Sequence, residues 1–296
     1  MKVLITGGNG FLGQHLTRFL SAQNFEVYVV SRGECRIPDG GSFTYFDVDL
    51  HDSSALAAII NEVQPGVIIH AAAMSKPDEC KNNPQACLQL NLDATRHLLN
   101  AFKATQQPSL FIYISTDFVF GENGPHSEDE EKGPLNFYGE SKYTAEQLVE
   151  GSNLPFAIVR PVFIYGPTWN GLRPSFLHWV KNNLEQNKQI KVVSDQLRTP
   201  TYVVDICKGI AEIIYRKKDG VYHLAGKDLL SPYEMAVKTA GILGLDATLI
   251  ENVTSECFEE PVVRAKRSGL KIDKAMKELD YVPVSFEDGI RYTFNI

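Results

Sequence analysis

The sequence predicts an α/β fold, in which helices cover both faces of a doubly wound parallel sheet. Short apolar segments rich in Val, Ile, Phe and Tyr alternate with amphipathic helical patterns through the first half of the 296-residue chain. Such alternation is typical of right-handed β-α-β units. The apolar segments are nearly continuous, as expected for strands that are buried on both faces of a sheet.

Six strands are predicted in this half, at 2–6, 25–31, 42–48, 66–72, 109–115 and 156–160. Between them lie the helical patterns FLGQHLTRFLSAQ, SALAAIINEV and ACLQLNLDATRHLLNAFKA. In the third pattern the apolar side chains keep helical spacing. A first domain is therefore predicted over residues 1–165.

After about residue 165 the rhythm changes, and helical patterns mix with the short strand patterns QIKVV, GVYHLAG and TLIEN. This mixture predicts a smaller C-terminal α/β lobe over residues 166–296. We expect its segments to interleave with the sheet of the first domain, with a returning strand near 220–226.

Composition excludes several classes of function. The formal net charge of −7 argues against nucleic-acid binding, because contacts to phosphates need a basic surface. No apolar run approaches the roughly 20 residues of a membrane span. The five cysteines form no CxxC pair, and no His, Asp and Glu cluster has metal-ligand spacing, so we expect a reduced, cytoplasmic protein without a metal. The N-terminal apolar run is too short for a signal peptide.

A glycine-rich loop, TGGNGFLG at residues 6–13, follows the first strand and opens the first helix. Gly7, Gly10 and Gly13 permit a tight turn and close backbone approach to a pyrophosphate, and the helix N-terminus supplies N–H donors. The loop, with Phe11 and Leu12, therefore predicts dinucleotide binding, and the first domain is expected to be a Rossmann-type NAD(P)-binding domain.

The end of the second strand contacts the adenosine ribose in such domains. Here it carries Ser31 and Arg32 instead of an acidic residue, which favours NADP(H), with NAD(H) left open. Arg32 as a solvated loop residue is the alternative. Asp49 and Leu50, after the third strand, are candidates for contacts to adenine, whereas Asp47 is compatible with a structural role.

The segment FYGESK at 137–142 places Tyr138 and Lys142 one helical turn apart, so that the two side chains share a face. Taken alone, this spacing also fits an amphipathic helix with a core aromatic and a solvated lysine.

Together these segments resemble the extended short-chain dehydrogenase/reductase family over nearly the whole chain. The motifs that carry the resemblance are TGGNGFLG, HAAA (70–73), Asn91, STDFVF (115–120), YGESK (138–142) and RPVFIYG (160–166). The resemblance implies that Thr116, Tyr138 and Lys142 are catalytic, and that the lysine cation lowers the pKa of the tyrosine. It also implies a homodimer, formed through helices around 83–105 and 138–150.

The same resemblance assigns residues near HAAAMSK. Ala71, Ala72 and Ala73 are expected to pass close to the cofactor, and Met74 and Ser75 to line the substrate side. Asn91 is expected to order the active-site backbone.

The segment STDFVF is similar to that of dTDP-4-dehydrorhamnose reductases, whereas dehydratases of related sugars have a glutamate where this chain has Phe118. The resemblance implies a nucleotide-linked 4-keto-6-deoxysugar substrate, with Asp117, Phe118, Phe163 and Arg198 as contact candidates. Arg198 as a surface residue is the alternative. An epimerase or simple dehydrogenase, and a regulatory subunit resembling that of methionine adenosyltransferase, remain open.

Overall fold

The computed structural model describes residues 1–169, 171–172, 174–259 and 261–296. Its strands are β1 (Lys2–Thr6), β2 (Glu26–Ser31), β3 (Phe43–Asp47), β4 (Val67–His70), β5 (Leu110–Ile114), β6 (Phe156–Arg160), β7 (Ile164–Tyr165), β8 (Ile190–Val193), β9 (Thr201–Tyr202), β10 (Gly220–His223) and β11 (Ile250–Val253). Within the described ranges, seven strands form one sheet in the order β10-β6-β5-β4-β1-β2-β3, and every neighbouring pair is parallel. The predicted doubly wound α/β class is confirmed.

The helices are α1 (Phe11–Ser21), α2 (Ser53–Val63), α3 (Pro77–Asn82), α4 (Pro84–Leu88), α5 (Ala94–Lys103), α6 (Phe137–Glu150), α7 (Phe176–Glu185), α8 (Val203–Tyr215), α9 (Pro232–Leu243), α10 (Asp273–Leu279) and α11 (Phe286–Phe294). Successive side chains of β1 point to opposite faces of the sheet. Val3 and Ile5 pack in the cluster that contains α1 and α8 residues, while Leu4 packs with α2 and α5. The core is therefore two layers, one on each face of the sheet.

The predicted continuous helix over the ACLQLNLDATRHLLNAFKA segment is divided in the structure. A π-helical turn at Gln89–Asp93 separates α4 from α5. Such a turn contains one extra residue, and it often occurs at functional sites. Here it places the Asn91 side chain in the interior, where its hydrogen bonds offset the poorer helical geometry.

Outside the large sheet, the described residues form two small parallel sheets. β8 pairs with β11 and packs with α7 and α9, and β7 pairs with β9. Between β9 and β11 the chain returns to the large sheet, where Gly220 of β10 lies opposite Ala157 of β6. In the described part of the chain, we find no helix with the length and apolar character of a membrane span.

Candidate active site

A cavity of about 1100 Å³ runs along the carboxyl ends of β1, β2, β4 and β5, where open parallel sheets bind ligands. It brings together all the residues that the sequence assigns to a cofactor: Gly7, Gly10, Phe11, Leu12, Gly13, Ser31, Arg32, Asp49, Leu50, Ala71, Ala72, Ala73, Tyr138 and Lys142. Thr116 lines the same cavity.

The glycine-rich loop packs so closely against the protein backbone that its glycines leave no room for a side chain. Gly7 has φ of 74°, and a Cβ there would lie 2.7 Å from the Ala72 Cα. A Cβ on Gly13 would lie only 2.1 Å from the Gly7 carbonyl oxygen. Gly10 caps α1 without a side-chain hydrogen bond, and the first turn of α1 has no acidic residue. The N–H groups at this helix end therefore fit the diphosphate of a dinucleotide.

The end of the cavity next to β2 and β3 carries Arg32 and Asp49, whose Nη1 and Oδ2 atoms lie 3.5 Å apart. Partial burial acts to raise the pKa of Asp49, but hydrogen bonds from His51 outweigh it, and the pKa is lowered. The Asp47 Oδ1 atom accepts a hydrogen bond of 2.6 Å from the Gly33 N–H. Through this hydrogen bond, Asp47 holds the loop that follows β2.

The three residues implied as catalytic converge at the other end of the cavity. Thr116 follows β5, and its hydroxyl donates to the Asp117 Oδ1 atom at 3.2 Å. Tyr138 lies in the first turn of α6. Asn136 is the N-cap of this helix, and its side chain accepts a hydrogen bond from the Gly139 N–H. Lys142 donates from Nζ to the Ile114 carbonyl oxygen at 2.7 Å.

Burial sets the protonation of these groups. It raises the pKa of Tyr138, while a hydrogen bond with Thr116 acts in the opposite direction. Burial lowers the pKa of Lys142 to about 7, although the Glu146 carboxylate opposes this shift. The expectation that Lys142 lowers the pKa of Tyr138 is wrong for this structure. The Lys142 ammonium instead lies 4.1 Å from the centre of the Tyr113 ring, and loss of solvation dominates at Tyr138.

A buried ion pair lies behind Lys142. Glu146, one turn further along α6, accepts from Arg160 of β6 at 2.8 Å and 2.7 Å, and each side chain is only 1% exposed. The Arg160 guanidinium also contacts the Glu128 carbonyl oxygen at 3.3 Å. The Glu128 carboxylate accepts from the His223 N–H at 3.0 Å, and the Glu128 side chain is 13% exposed.

Asn91 fixes the backbone next to the cavity. Its Oδ1 atom accepts from the Met74 N–H at 2.8 Å, and its Nδ2 atom donates to the Met74 carbonyl oxygen at 3.2 Å and to the Ser141 Oγ atom at 3.0 Å. The Met74 side chain packs beside Cys80, Cys87 and Tyr138 and, unlike Ser75, does not line the described cavity.

A second cavity, of about 490 Å³, adjoins the first, and Asp117, Phe118 and Phe163 line both. Arg198 lines the second cavity and is 7% exposed, so the surface alternative for this residue is wrong. Its guanidinium donates to Ser268 Oγ at 3.1 Å and to Gln196 Oε1 at 2.6 Å.

Burial raises the pKa of Asp117, and the nearby charge of Arg198 opposes that change. Phe118 meets the Tyr138 ring edge to face, with 5.5 Å between the ring centres. Phe163 has φ of 40°, a strained value for a residue with a side chain, which places its ring between the two cavities.

Sequence reasoning missed several lining residues. Asn9, Arg36 and Ser115 line the first cavity, and Trp179 and Phe258 line the second. Asn9 lies in the motif TGGNGFLG and Ser115 in the motif STDFVF, so these motifs could have indicated that both residues line the cavity. Trp179 and Phe258 lie in distant segments without such a motif.

The fold and this site define the chain as an NAD(P)-dependent oxidoreductase of the short-chain dehydrogenase/reductase type. More particularly, the chain belongs to the family described as the RmlD substrate binding domain, whose model matches residues 1–296.

Three similar proteins show the range of this likeness. The chain is 34% identical over 273 residues to methionine adenosyltransferase 2 subunit beta of Bos taurus, which covers 90% of this chain and 78% of that protein. It is 29% identical over 293 residues to a probable low-salt glycan biosynthesis reductase of Haloferax volcanii, covering 98% and 96%. The crystal structure of dTDP-4-dehydrorhamnose reductase from Bacillus anthracis in complex with NADP superposes with a TM-score of 0.86 at 27% identity, covering 99% and 98%.

Proposed function

We propose that the protein is an NADP(H)-dependent reductase of a nucleotide-linked 4-keto-6-deoxysugar, with Tyr138 as the proton donor. The observation that carries this proposal is the convergence of Thr116, Tyr138 and Lys142 in the first cavity, where the Tyr138 ring contacts Phe118, a residue that lines both cavities. The reductases among its relatives support the same class of reaction.

In the proposed reaction, the keto oxygen lies between the hydroxyl groups of Thr116 and Tyr138. The raised pKa of Tyr138 keeps its hydroxyl protonated at neutral pH, so that it can donate a proton to this oxygen. In this step the single Thr116 O–H turns from the Asp117 carboxylate to the same oxygen, and Lys142 holds the nicotinamide ribose. When bound, the cofactor supplies the hydride.

The residues that line the second cavity support the proposed class of substrate. We propose that residues 1–165, together with β10, bind the cofactor and that residues 166–296 provide most of the substrate lobe. The Arg198 guanidinium is suited to a diphosphate, and the aromatic rings of Phe163, Trp179 and Phe258 are suited to the sugar and the base. Phe118 offers no carboxylate for an elimination, which disfavours a dehydratase.

NADP(H) is proposed over NAD(H) because Ser31 and Arg32 end β2 without an acidic side chain. A hydroxyl and a guanidinium both bind a 2′-phosphate, whereas a carboxylate would repel it.

The test is a panel of nucleotide-linked keto sugars assayed with NADPH and with NADH at 340 nm. We expect NADPH consumption with a dTDP-4-keto-6-deoxyhexose and a loss of at least about 10²-fold in kcat for Tyr138→Phe, because the proton donor is removed. Tyr143→Phe, on the same helix, is the matched control and should retain activity.

Full activity of Tyr138→Phe would contradict the mechanism. Conversion of a sugar without net NADPH consumption, together with nucleotide that co-purifies with the protein, would favour an epimerase.

A regulatory subunit is the second candidate, because the 34% identity to methionine adenosyltransferase 2 subunit beta exceeds the 29% identity to the glycan biosynthesis reductase. In that case, the protein would form a stoichiometric complex with a methionine adenosyltransferase catalytic subunit and would reduce no sugar of the panel. Size-exclusion chromatography of the mixture separates the two candidates.

We also propose that the protein is a cytoplasmic homodimer formed through α5 and α6. The basis for this proposal is the resemblance to the family. Light scattering of the purified protein should give twice the chain mass of 33.0 kDa.

A further inference from the structure

The loop that follows β2 carries two arginines, Arg32 and Arg36, and both line the first cavity. Gly33, with φ of 74°, turns the loop between them. Beyond Arg36 the chain enters the core at Ile37, which is 7% exposed. The loop is therefore anchored at both ends while its two guanidinium groups remain at the surface of the cavity.

One side chain of the glycine-rich loop holds this segment together. The Asn9 Nδ2 atom donates to the carbonyl oxygens of Arg32 at 3.0 Å and Glu34 at 2.9 Å, and it lies 2.8 Å from the Tyr45 hydroxyl. Its Oδ1 atom accepts from the Arg36 N–H at 2.9 Å. The Asn9 backbone N–H adds a bond of 3.3 Å to the Ser31 hydroxyl.

Only an amide side chain satisfies these partners, because it offers an acceptor for the Arg36 N–H and donors for the carbonyl groups at once. Tyr45 strengthens the arrangement by donating to the Gly33 carbonyl oxygen at 2.7 Å. Asn9 thus joins the loop that fits the diphosphate to the loop that carries the two arginines.

We propose that Asn9 is a positioning residue that sets Arg32 and Arg36 as one two-cation site for the 2′-phosphate of NADP(H). This inference rests on the proposed use of NADP(H). Arg32 already has one anionic neighbour, since the Asp49 carboxylate lies 3.5 Å from its guanidinium. Arg36 supplies the second cation that a dianionic phosphate requires.

The placement of Arg36 depends on Asn9, whose Oδ1 atom holds the Arg36 backbone. The aliphatic part of the Arg36 side chain lies beside Gly171, where a Cβ would be 3.2 Å from the Arg36 Cδ atom. The exposed Glu34 lies between the two arginines in sequence, but it is not part of the described cavity lining.

The experiment measures equilibrium binding of NADPH and NADH by nicotinamide fluorescence, without any sugar. Its outcome is therefore independent of whether the proposed sugar reduction is correct. The proteins are the wild type, Arg36→Ala, Asn9→Ala and the double variant. Asn61→Ala, which removes an exposed amide on α2, is the matched control. Thermal melting verifies that each variant is folded, and Arg36→Ala tests the site even if Asn9→Ala does not fold.

We expect the wild type to prefer NADPH. Arg36→Ala should weaken NADPH binding by about 10-fold, the loss of one charge-assisted contact, and change NADH binding by less than about 2-fold. Asn9→Ala should weaken NADPH binding by about 5-fold, again with little change for NADH. The double variant should lose less than the product of the two single losses, because Asn9 acts through Arg36.

Equal losses for NADPH and NADH in Asn9→Ala would overturn the proposal, since they would mean that Asn9 only shapes the diphosphate loop. A wild type without preference for NADPH, or multiplicative losses in the double variant, would overturn it as well.

Discussion

Removing the charge of Glu146 tests whether the buried pair with Arg160 holds α6 against β6. In Glu146→Gln, the introduced amide keeps one acceptor oxygen but places N–H groups where the second carboxylate oxygen accepted the 2.7 Å bond. The Arg160 guanidinium, 1% exposed, then remains buried without its counter-charge. Breaking such a pair costs about 3–5 kcal/mol.

Urea denaturation, followed by far-UV circular dichroism, measures the loss. With an m value of about 3 kcal/mol per molar urea, a loss of about 3 kcal/mol shifts the midpoint by about 1 M. Glu140→Gln is the matched control, because Glu140 is an exposed glutamate on the same helix and should change stability by less than about 0.5 kcal/mol.

A loss below about 1 kcal/mol for Glu146→Gln would refute the assigned burial of the pair. A second variant separates charge from packing. The double replacement Glu146→Leu with Arg160→Met removes both charges at once, so it should be more stable than Glu146→Gln.

Three further perturbations test other parts of the site. Gly13→Ala places a Cβ 2.1 Å from the Gly7 carbonyl oxygen, so we expect at least a 10-fold loss of NADPH affinity by fluorescence titration, whereas unchanged affinity would argue against the loop geometry. Asn91→Leu leaves the Met74 N–H and carbonyl groups without their partner, and should cost about 1–3 kcal/mol in urea denaturation, more than an exposed substitution does. His70 is buried, and its pKa is lowered to about 3, mainly by burial and to a smaller extent by the Lys142 charge. Between pH 6.5 and 3, His70 binds a proton in the unfolded chain but stays neutral in the folded protein. The free energy of unfolding should therefore fall by up to about 1.4 kcal/mol per pH unit on acidification. The replacement His70→Gln should flatten this slope, and an unchanged slope would show that other groups cause it.

Most of the large sheet could be predicted from the sequence, because its strands are continuous apolar runs and the chain turns at glycines and polar residues between them. The division of the predicted helix before β5 could not. Its π-helical turn is favoured by the contacts of Asn91 with Met74 and Ser141, which are distant in sequence. Local helical periodicity does not predict contacts between residues that are distant in sequence.

The cofactor side of the site could be predicted because its residues follow strand ends, where the topology fixes their place. The second cavity could not, because Trp179 and Phe258 come from segments that only the folded lobe brings together. The burial of Arg198 likewise depends on Ser268, seventy residues further along the chain. The direction of the pKa shift at Tyr138 depends on the depth of burial, which a four-residue spacing does not reveal.

The return of β10 to the edge of the large sheet has a consequence for the synthesis of the protein. A nascent chain that has reached residue 165 holds six strands of this sheet, but the N–H and C=O groups along the outer edge of β6 have no partner until residues 220–223 leave the ribosome. During that interval, β6 is an open edge that can pair with another chain. We therefore expect a fragment of residues 1–165 to aggregate when it is expressed alone.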